Sequence, residues 1–178
     1  MPDAHDSKRL SGFCNRTEVT ICAAVSAMLQ CLGVPGSDIG VTSPYVQQVI
    51  SLQQAVCQES KRDSRHGSPQ KQMQAAAAAD AQRKRTAQPS VMTIDRFQGQ
   101  DKAAMVVSLV RSNAGRLTGD LLQDSRRINV ALTRAKHKVV IVGDSSTVSQ
   151  APLLKKVLDT VRRLGAVYQL DAESLQGL

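Results

Sequence analysis

Aromatic side chains are nearly absent from this 178-residue chain: two Phe, two Tyr and no Trp, 2% of the sequence. So few rings exclude extensive base stacking as its way of holding a partner. They also leave the core to Val, Leu, Ile and Ala. Cysteine is scarce as well. Cys14, Cys22, Cys31 and Cys57 are spaced 8, 9 and 26 apart, with no CxxC. That spacing excludes the common zinc frameworks, so no metal ligand is expected and the thiols read as buried or idle in a reducing compartment. No apolar run approaches the ~20 residues of a membrane span. Residues 1–11 are polar and lack the apolar stretch of a secretory leader. A soluble, intracellular protein with no membrane partner is expected. Acidic residues are outnumbered 15 to 23, for a net charge of +8. That excess is compatible with a polyanionic partner without naming one. Hydrophobic residues still make up 42% of the chain, and the length fits one domain with a proper core.

Taken in order, residues 1–12 read as a disordered lead-in and 13–164 as the domain. Val19, Cys22, Ala23, Val25, Met28, Leu29 and Leu32 follow helical spacing, with Thr17 or Asn15 to cap the start and Gly33 then Pro35 to stop it. A turn follows, then a short strand, Ile39-Gly40-Val41-Thr42-Ser43. Pro44 opens a helix through Tyr45, Val49, Ile50, Leu52 and Val56. A strand running into a Pro-started helix puts residues 43–45 at the carboxyl end of a sheet, where open α/β sheets bind ligands. Residues 58–90 combine mixed charges, Gly67-Ser68-Pro69, a Gln-rich patch, a run of five alanines at 75–79 and Arg83-Lys84-Arg85. They read as an insert or exposed loop carrying half of the net charge: a solvated tether, a nucleic-acid contact or a nuclear address. Strand character resumes at Val91-Met92-Thr93-Ile94. A polar, Gly-containing turn leads from there into the apolar run from Ala104 to Val110. An amphipathic helix from Pro152 to Leu164 closes the domain, and 165–178 form a short tail.

The centre of the chain is Arg126-Arg127-Ile128-Asn129-Val130-Ala131-Leu132-Thr133-Arg134-Ala135-Lys136-His137-Lys138, followed by Val139-Val140-Ile141-Val142-Gly143. Ile128, Ala131, Leu132 and Ala135 share one helical face, and Arg127 and Arg134, seven apart, line one edge of it. Residues 139–142, apolar without alternation, suit a central strand buried on both faces of a parallel sheet. A guanidinium held rigidly there offers a planar fork of donors that matches phosphate oxygens. Beside a transferring phosphoryl group it is worth roughly 10³–10⁵ in rate. Spacing alone leaves open that these are solvated surface arginines.

The string from Arg127 to Lys136 resembles motif VI of the superfamily 1B helicases. The string from Ile39 to Gln48 resembles motif IV. Thr93-Ile94-Asp95-Arg96-Phe97-Gln98-Gly99-Gln100-Asp101-Lys102 resembles motif V. Asn15-Arg16-Thr17-Glu18 resembles the short motif ahead of motif IV, and Arg111-Ser112-Asn113 also fits. The resemblance implies an α/β fold: a RecA-like three-layer α/β/α domain with a mainly parallel sheet, the second domain of such a helicase. It is of the P-loop NTPase type but without the P-loop.

By the same resemblance, Arg134 is the catalytic arginine that reaches the γ-phosphate of ATP. Arg16, Gln98, Gly99, Asp101 and Arg127 are nucleotide-binding, with Asp101 facing the sugar. Ser43, Pro44, Tyr45, Thr93 and Asn113 are nucleic-acid-binding. Arg16 has an equivalent in only some relatives, and a helix-start arginine in solvent is the other reading of it. Asp at 101 leans towards the eukaryotic replication helicase–nuclease over the RNA-surveillance helicase.

Neither Gly-x-x-x-x-Gly-Lys-(Ser/Thr) nor a Walker B Asp-Glu pair occurs. ATP and Mg²⁺ are therefore expected mainly on a first RecA-like domain, in the same longer polypeptide or in trans, and the isolated chain is expected to be inactive. Single-stranded nucleic acid is the expected partner, DNA ahead of RNA, in the nucleus ahead of the cytoplasm. A non-catalytic nucleic-acid-binding or helicase-docking module, or an RNA helicase fragment, are the alternatives.

Overall fold

The structure, a computed structural model, describes residues 7–9, 12–63 and 87–170. Its centre is a four-stranded, all-parallel sheet ordered β4-β3-β5-β6, with β3 Ile39–Ser43, β4 Ser90–Thr93, β5 Lys102–Ser108 and β6 Ala135–Val142. Strand β3 is buried at every position and β5 over its last five, as an apolar run between two helical layers requires. Helices α1 Arg16–Cys31 and α2 Val46–Asp63 cover one face, packing Val19, Cys22, Leu52 and Val56 on Ile39, Val41 and Val106. The other face carries α3 Asp120–Gln123, α4 Ser125–Thr133, α5 Ser145–Val148 and α6 Pro152–Arg163. Their Leu122, Ile128, Ala131, Val148 and Leu154 bury against Val107 and Leu109. This is the three-layer α/β/α arrangement expected of a RecA-like domain. No described helix is long and apolar enough to cross a membrane.

Local chemistry explains the element ends. Asn15, extended at φ −124°, caps α1 by accepting the Glu18 N–H at 3.2 Å. Gly33, at φ +94°, takes the left-handed position that stops it. Asp124 caps α4 by accepting the N–H groups of Arg126 and Arg127.

Gly40 answers to a neighbour. A Cβ there would overlap Met105 Sδ and meet the Phe97 ring at 3.0 Å. Without one, Phe97 seats directly on β3, and the turn that carries it, the 3₁₀ helix Ile94–Phe97, lies against the sheet. That turn is half of the connection from β4 across β3 to β5, only eight residues between strand ends, where parallel crossovers ordinarily need a dozen or more.

Four expectations are corrected. Residues 139–142 belong not to a central strand but to the outermost one described, which begins four residues earlier, at Ala135. An apolar run reports covered faces, and both faces are covered: Val139 and Ile141 pack under α4, and Val142 under α1. It does not report whether a neighbouring strand is hydrogen-bonded in the plane. Ala135 accordingly leaves the helix, whose last residue is Thr133 with Arg134 as its cap.

The lead-in 1–12 includes strand β1, Ser7–Arg9, paired antiparallel with β2, Gly12–Cys14. Three polar residues carry no periodicity to read, and the anchor is Phe13 on the partner strand, edge-on to Tyr45 at 5.7 Å. The insert 58–90 gives up its ends to regular structure. Helix α2 continues to Asp63 through good helix formers beyond its last buried anchor, Val56, and β4 begins at Ser90. Residues 64–86, like 1–6, 10, 11 and 171–178, lie outside the described residues.

Candidate nucleotide and nucleic-acid site

Helix α4 runs down the sheet from its carboxyl end to its amino end. Ile128 and Ala131 face the core, and this sets two arginines on its flank. Arg127 Nε donates to Asp95 Oδ1 at 2.9 Å. Arg134 Nη1 donates to Asp101 Oδ1, also at 2.9 Å. The Arg134 carbonyl accepts the Lys102 N–H at 2.9 Å, which ties the end of the helix to the start of β5. Its side chain is only 26% exposed, and Nε is buried without a hydrogen-bond partner among the described residues. A buried charged donor left unmade costs free energy that an arriving acceptor recovers.

Between Asp95 and Asp101 lies the exposed turn that holds Gln98 and Gly99. Gln98 N–H donates to the Asp95 carbonyl and Gln100 N–H to that of Phe97. Gly99 sits at φ +78°, which a side chain would strain. The structure therefore brings Arg134, Asp101, Gln98, Gly99 and Arg127 onto one helix–turn unit. Thr93, half-buried, ends β4 just before it.

At the carboxyl end of β5 a buried polar network takes over. The Ser108 hydroxyl donates to Glu18 Oε2 at 2.6 Å, and the Val110 N–H to the same oxygen at 2.9 Å. Asn15 Nδ2 reaches the Val110 carbonyl at 3.2 Å, and Gln48 Nε2 joins Ser108 Oγ to the Asn15 carbonyl. Burial pushes the Glu18 carboxyl up from 4.5 to about 7, against the lowering effect of the Ser108 and backbone hydrogen bonds. Beneath it, burial and then the Glu18 charge push the Cys22 thiol well above its ordinary value, leaving it inert.

The network holds Val110 at φ +70° and so directs Arg111, whose guanidinium carbon lies 3.8 Å from the centre of the Phe13 ring. Ser112 then donates to Asp144, and Asn113 closes a tight loop. Its Oδ1 accepts the Leu117 N–H at 2.9 Å and its Nδ2 donates to the Leu117 carbonyl at 3.0 Å. Arg116 and Leu117 are exposed at the loop's tip.

Several sequence-nominated residues stand elsewhere. Ser43 is fully buried and its Oγ accepts the Tyr45 N–H. Tyr45 is buried too and donates to the Thr118 carbonyl at 3.4 Å, while Pro44 between them is half-buried. Arg16, the first residue of α1, is exposed and is not bonded to the Arg134 cluster. Sequence reasoning passed over Asp95, Gln48, Ser108 and Arg116 as site residues. Two of these lie inside motif strings, Gln48 and Asp95, but their partners are 33 and 32 residues away, beyond the reach of any local pattern. Among the described residues no cluster of His, Cys, Asp and Glu could hold a metal ion.

A family model described as "AAA domain" matches residues 2–146. The chain is 34% identical over 148 residues to the bovine DNA replication ATP-dependent helicase/nuclease DNA2, covering 83% of this chain and 12% of that protein. It is 31% identical over 169 residues to JHS1 of Arabidopsis thaliana, a protein of the same description (94% and 11%). To DNA2 of Saccharomyces cerevisiae it is 28% identical over 174 residues (98% and 10%). The chain thus spans about a tenth of the length of the curated relatives it matches. With the arginine helix, the Gln98–Gly99 turn and the parallel sheet in one unit, the chain belongs to the AAA domain family, in the form that superfamily 1B helicases carry as their C-terminal RecA-like domain.

Proposed function

We propose that this chain is the C-terminal half of the motor of an ATP-dependent helicase acting on DNA in replication or repair, and that Arg134 is its arginine finger. The observation that carries this reading is the state of Arg134. Its backbone is fixed at the end of a packed helix, one Nη rests on an exposed carboxylate, and Nε is buried with no partner among the described residues. Such a group fits an anionic ligand arriving across a cleft, where a guanidinium neutralises charge developing on a transferring phosphoryl group.

Asp101, Gln98 and Gly99 belong to the same side and take the nucleotide with it. Thr93, Asn113 and the 43–45 corner make the strand-binding edge, where the buried Ser43 and Tyr45 shape the backbone rather than touch the ligand. ATP and Mg²⁺ are held mainly by a first RecA-like domain, in the same longer polypeptide or in trans. This chain contains neither the phosphate loop nor the Walker B carboxylates, so alone it turns over no ATP. The names of the relatives support single-stranded DNA over RNA, and the nucleus over the cytoplasm; the net charge of +8 suits a polyanionic strand of either kind.

The test uses the longer protein, or this chain combined with a first RecA-like domain. Arg134→Ala is expected to cut DNA-stimulated ATP turnover by roughly 10³ or more while single-strand binding stays within twofold. Unchanged turnover would reduce the chain to a binding or docking module. DNA-stimulated turnover by the 178-residue chain alone would remove the need for a partner domain.

A further inference from the structure

We propose that Arg127 is a positioning residue: with Asp95 it pins the start of the 94–97 turn to the arginine helix, so that Thr93 and Arg134 become two ends of one rigid body. This rests on the helicase reading above and assigns Arg127 a role that shared motif membership does not.

Two ion pairs frame the turn. Both join α4 to the same connection, one at its first carboxylate, Asp95, and one at its last, Asp101. The topology puts them at opposite ends of the sheet. Asp95 stands two residues past the carboxyl end of β4, and Asp101 immediately before the amino end of β5. Helix α4 spans the same distance, since Arg127 and Arg134 are seven residues apart, ~10 Å of helical rise. The connection is therefore bracketed, and between the brackets lie Gln98 and Gly99.

The two pairs differ in kind. Arg134 keeps a buried, unmade Nε, as a group awaiting a ligand does, whereas among the described residues Arg127 has no buried nitrogen lacking a partner. Arg127 uses Nε itself on Asp95, and its own N–H is tied back to the Asp124 cap, so backbone and side chain are both committed within the fold. Asp95 is equally committed, because its carbonyl accepts the Gln98 N–H. Fixing Asp95 thus fixes Gln98 and the left-handed Gly99 beside it. A ligand that takes Arg134 from Asp101 releases one bracket. The other persists, and it transmits the displacement of the helix to the end of β4, where Thr93 meets the strand.

The experiment is a charge exchange in the longer protein that includes the first RecA-like domain. Asp95→Asn and Arg127→Gln are each expected to lower strand-stimulated ATP turnover threefold to tenfold, with KM for ATP within twofold of the parent. The pair Asp95→Arg with Arg127→Asp is expected to recover at least half of the loss. A KM for ATP raised tenfold by Arg127→Gln but not by Asp95→Asn would make Arg127 a nucleotide contact and overturn the proposal. Singles indistinguishable from the parent, or an exchange pair no better than the singles, would overturn it as well.

A second measurement is independent of turnover. Hydrogen exchange at the Gln98 and Gln100 amides should quicken at least threefold in either single variant and return in the exchange pair. Unaltered exchange rejects the strut even if the helicase reading stands. A parent protein without strand-stimulated turnover rejects that reading, and with it the role assigned to Arg127.

Discussion

The Val110 amide lies 2.9 Å from Glu18 Oε2, and through that contact a buried carboxylate holds a β-branched residue at φ +70°. Left-handed backbone at such a residue costs about 1–3 kcal/mol and persists only where its surroundings impose it. Here they are Glu18, Asn15, Gln48 and Ser108, all buried, from α1, the cap before it, α2 and β5.

The same burial makes stability depend on pH. The folded pKa of Glu18, about 7, is raised above the ordinary 4.5, so the fold prefers the protonated acid. The stability it confers is complete below 4.5 and is lost as pH rises through 7, by up to about 3 kcal/mol. Glu18→Gln keeps the shape and cannot ionise. Urea unfolding at pH 5 and pH 8 should show the wild type losing about 2–3 kcal/mol more across that interval than the variant. Equal losses in the two proteins would mean that Glu18 does not ionise there.

Gly40 makes a second prediction. A methyl group at this position meets Met105 Sδ and the Phe97 ring, both side chains fully buried. Gly40→Ala is expected to destabilise by about 1–3 kcal/mol, as overpacking does. The effect should reach the turn as well as the core, so proteolytic nicking near Gln98 and Gly99 should quicken along with the drop in the denaturant midpoint. A neutral substitution would show that Phe97 has room to withdraw.

Arg116 supplies a third. It stands exposed, at φ +53°, on the loop that Asn113 closes. If that loop lies along a single strand, Arg116→Ala should make the slope of log K against log salt shallower by about 0.7, with no change in melting temperature. Asn113→Ala should weaken binding severalfold through the loaded loop. An unchanged slope would remove the loop from the interface.

How much of this was legible depends on how far each contact reaches along the chain. Strand β3 is readable residue for residue, because turn chemistry brackets it and every position is buried. Helix α1 is readable because its cap and its stop are local. The parallel sense of β3 with β4, and of β5 with β6, follows from the helices between them; that of β4 relative to β5, joined by eight residues without an α-helix, does not. The strand β6 beginning at Ala135 is not readable: Lys136, His137 and Lys138 interrupt the apolar signal, and the helical face of Ile128 and Ala131 extends by period onto Ala135. Within the candidate site, the resemblance to motifs V and VI nominates Arg134, Asp101, Gln98 and Gly99, and the structure brings them onto one helix–turn unit. It does not foretell that Ser43 and Tyr45 point inwards, since Pro-Tyr at a helix start reads the same whether the ring is buried or displayed. Nor does it foretell the pairing of each arginine with a carboxylate more than thirty residues away, for which no helical or strand period exists.

Strand β6 is eight residues long, and no described strand pairs with its outer side. Unprotected, such a row of backbone donors and acceptors is a template on which another molecule's strand can grow. The charged stretch Lys136-His137-Lys138, exposed throughout, and the irregular register opposite Lys102 and Ala104 blunt that template at its first half. The residues that most obscure this strand in the sequence are thus its guard against self-association: made apolar, they would leave the arginine site intact and the protein prone to aggregate.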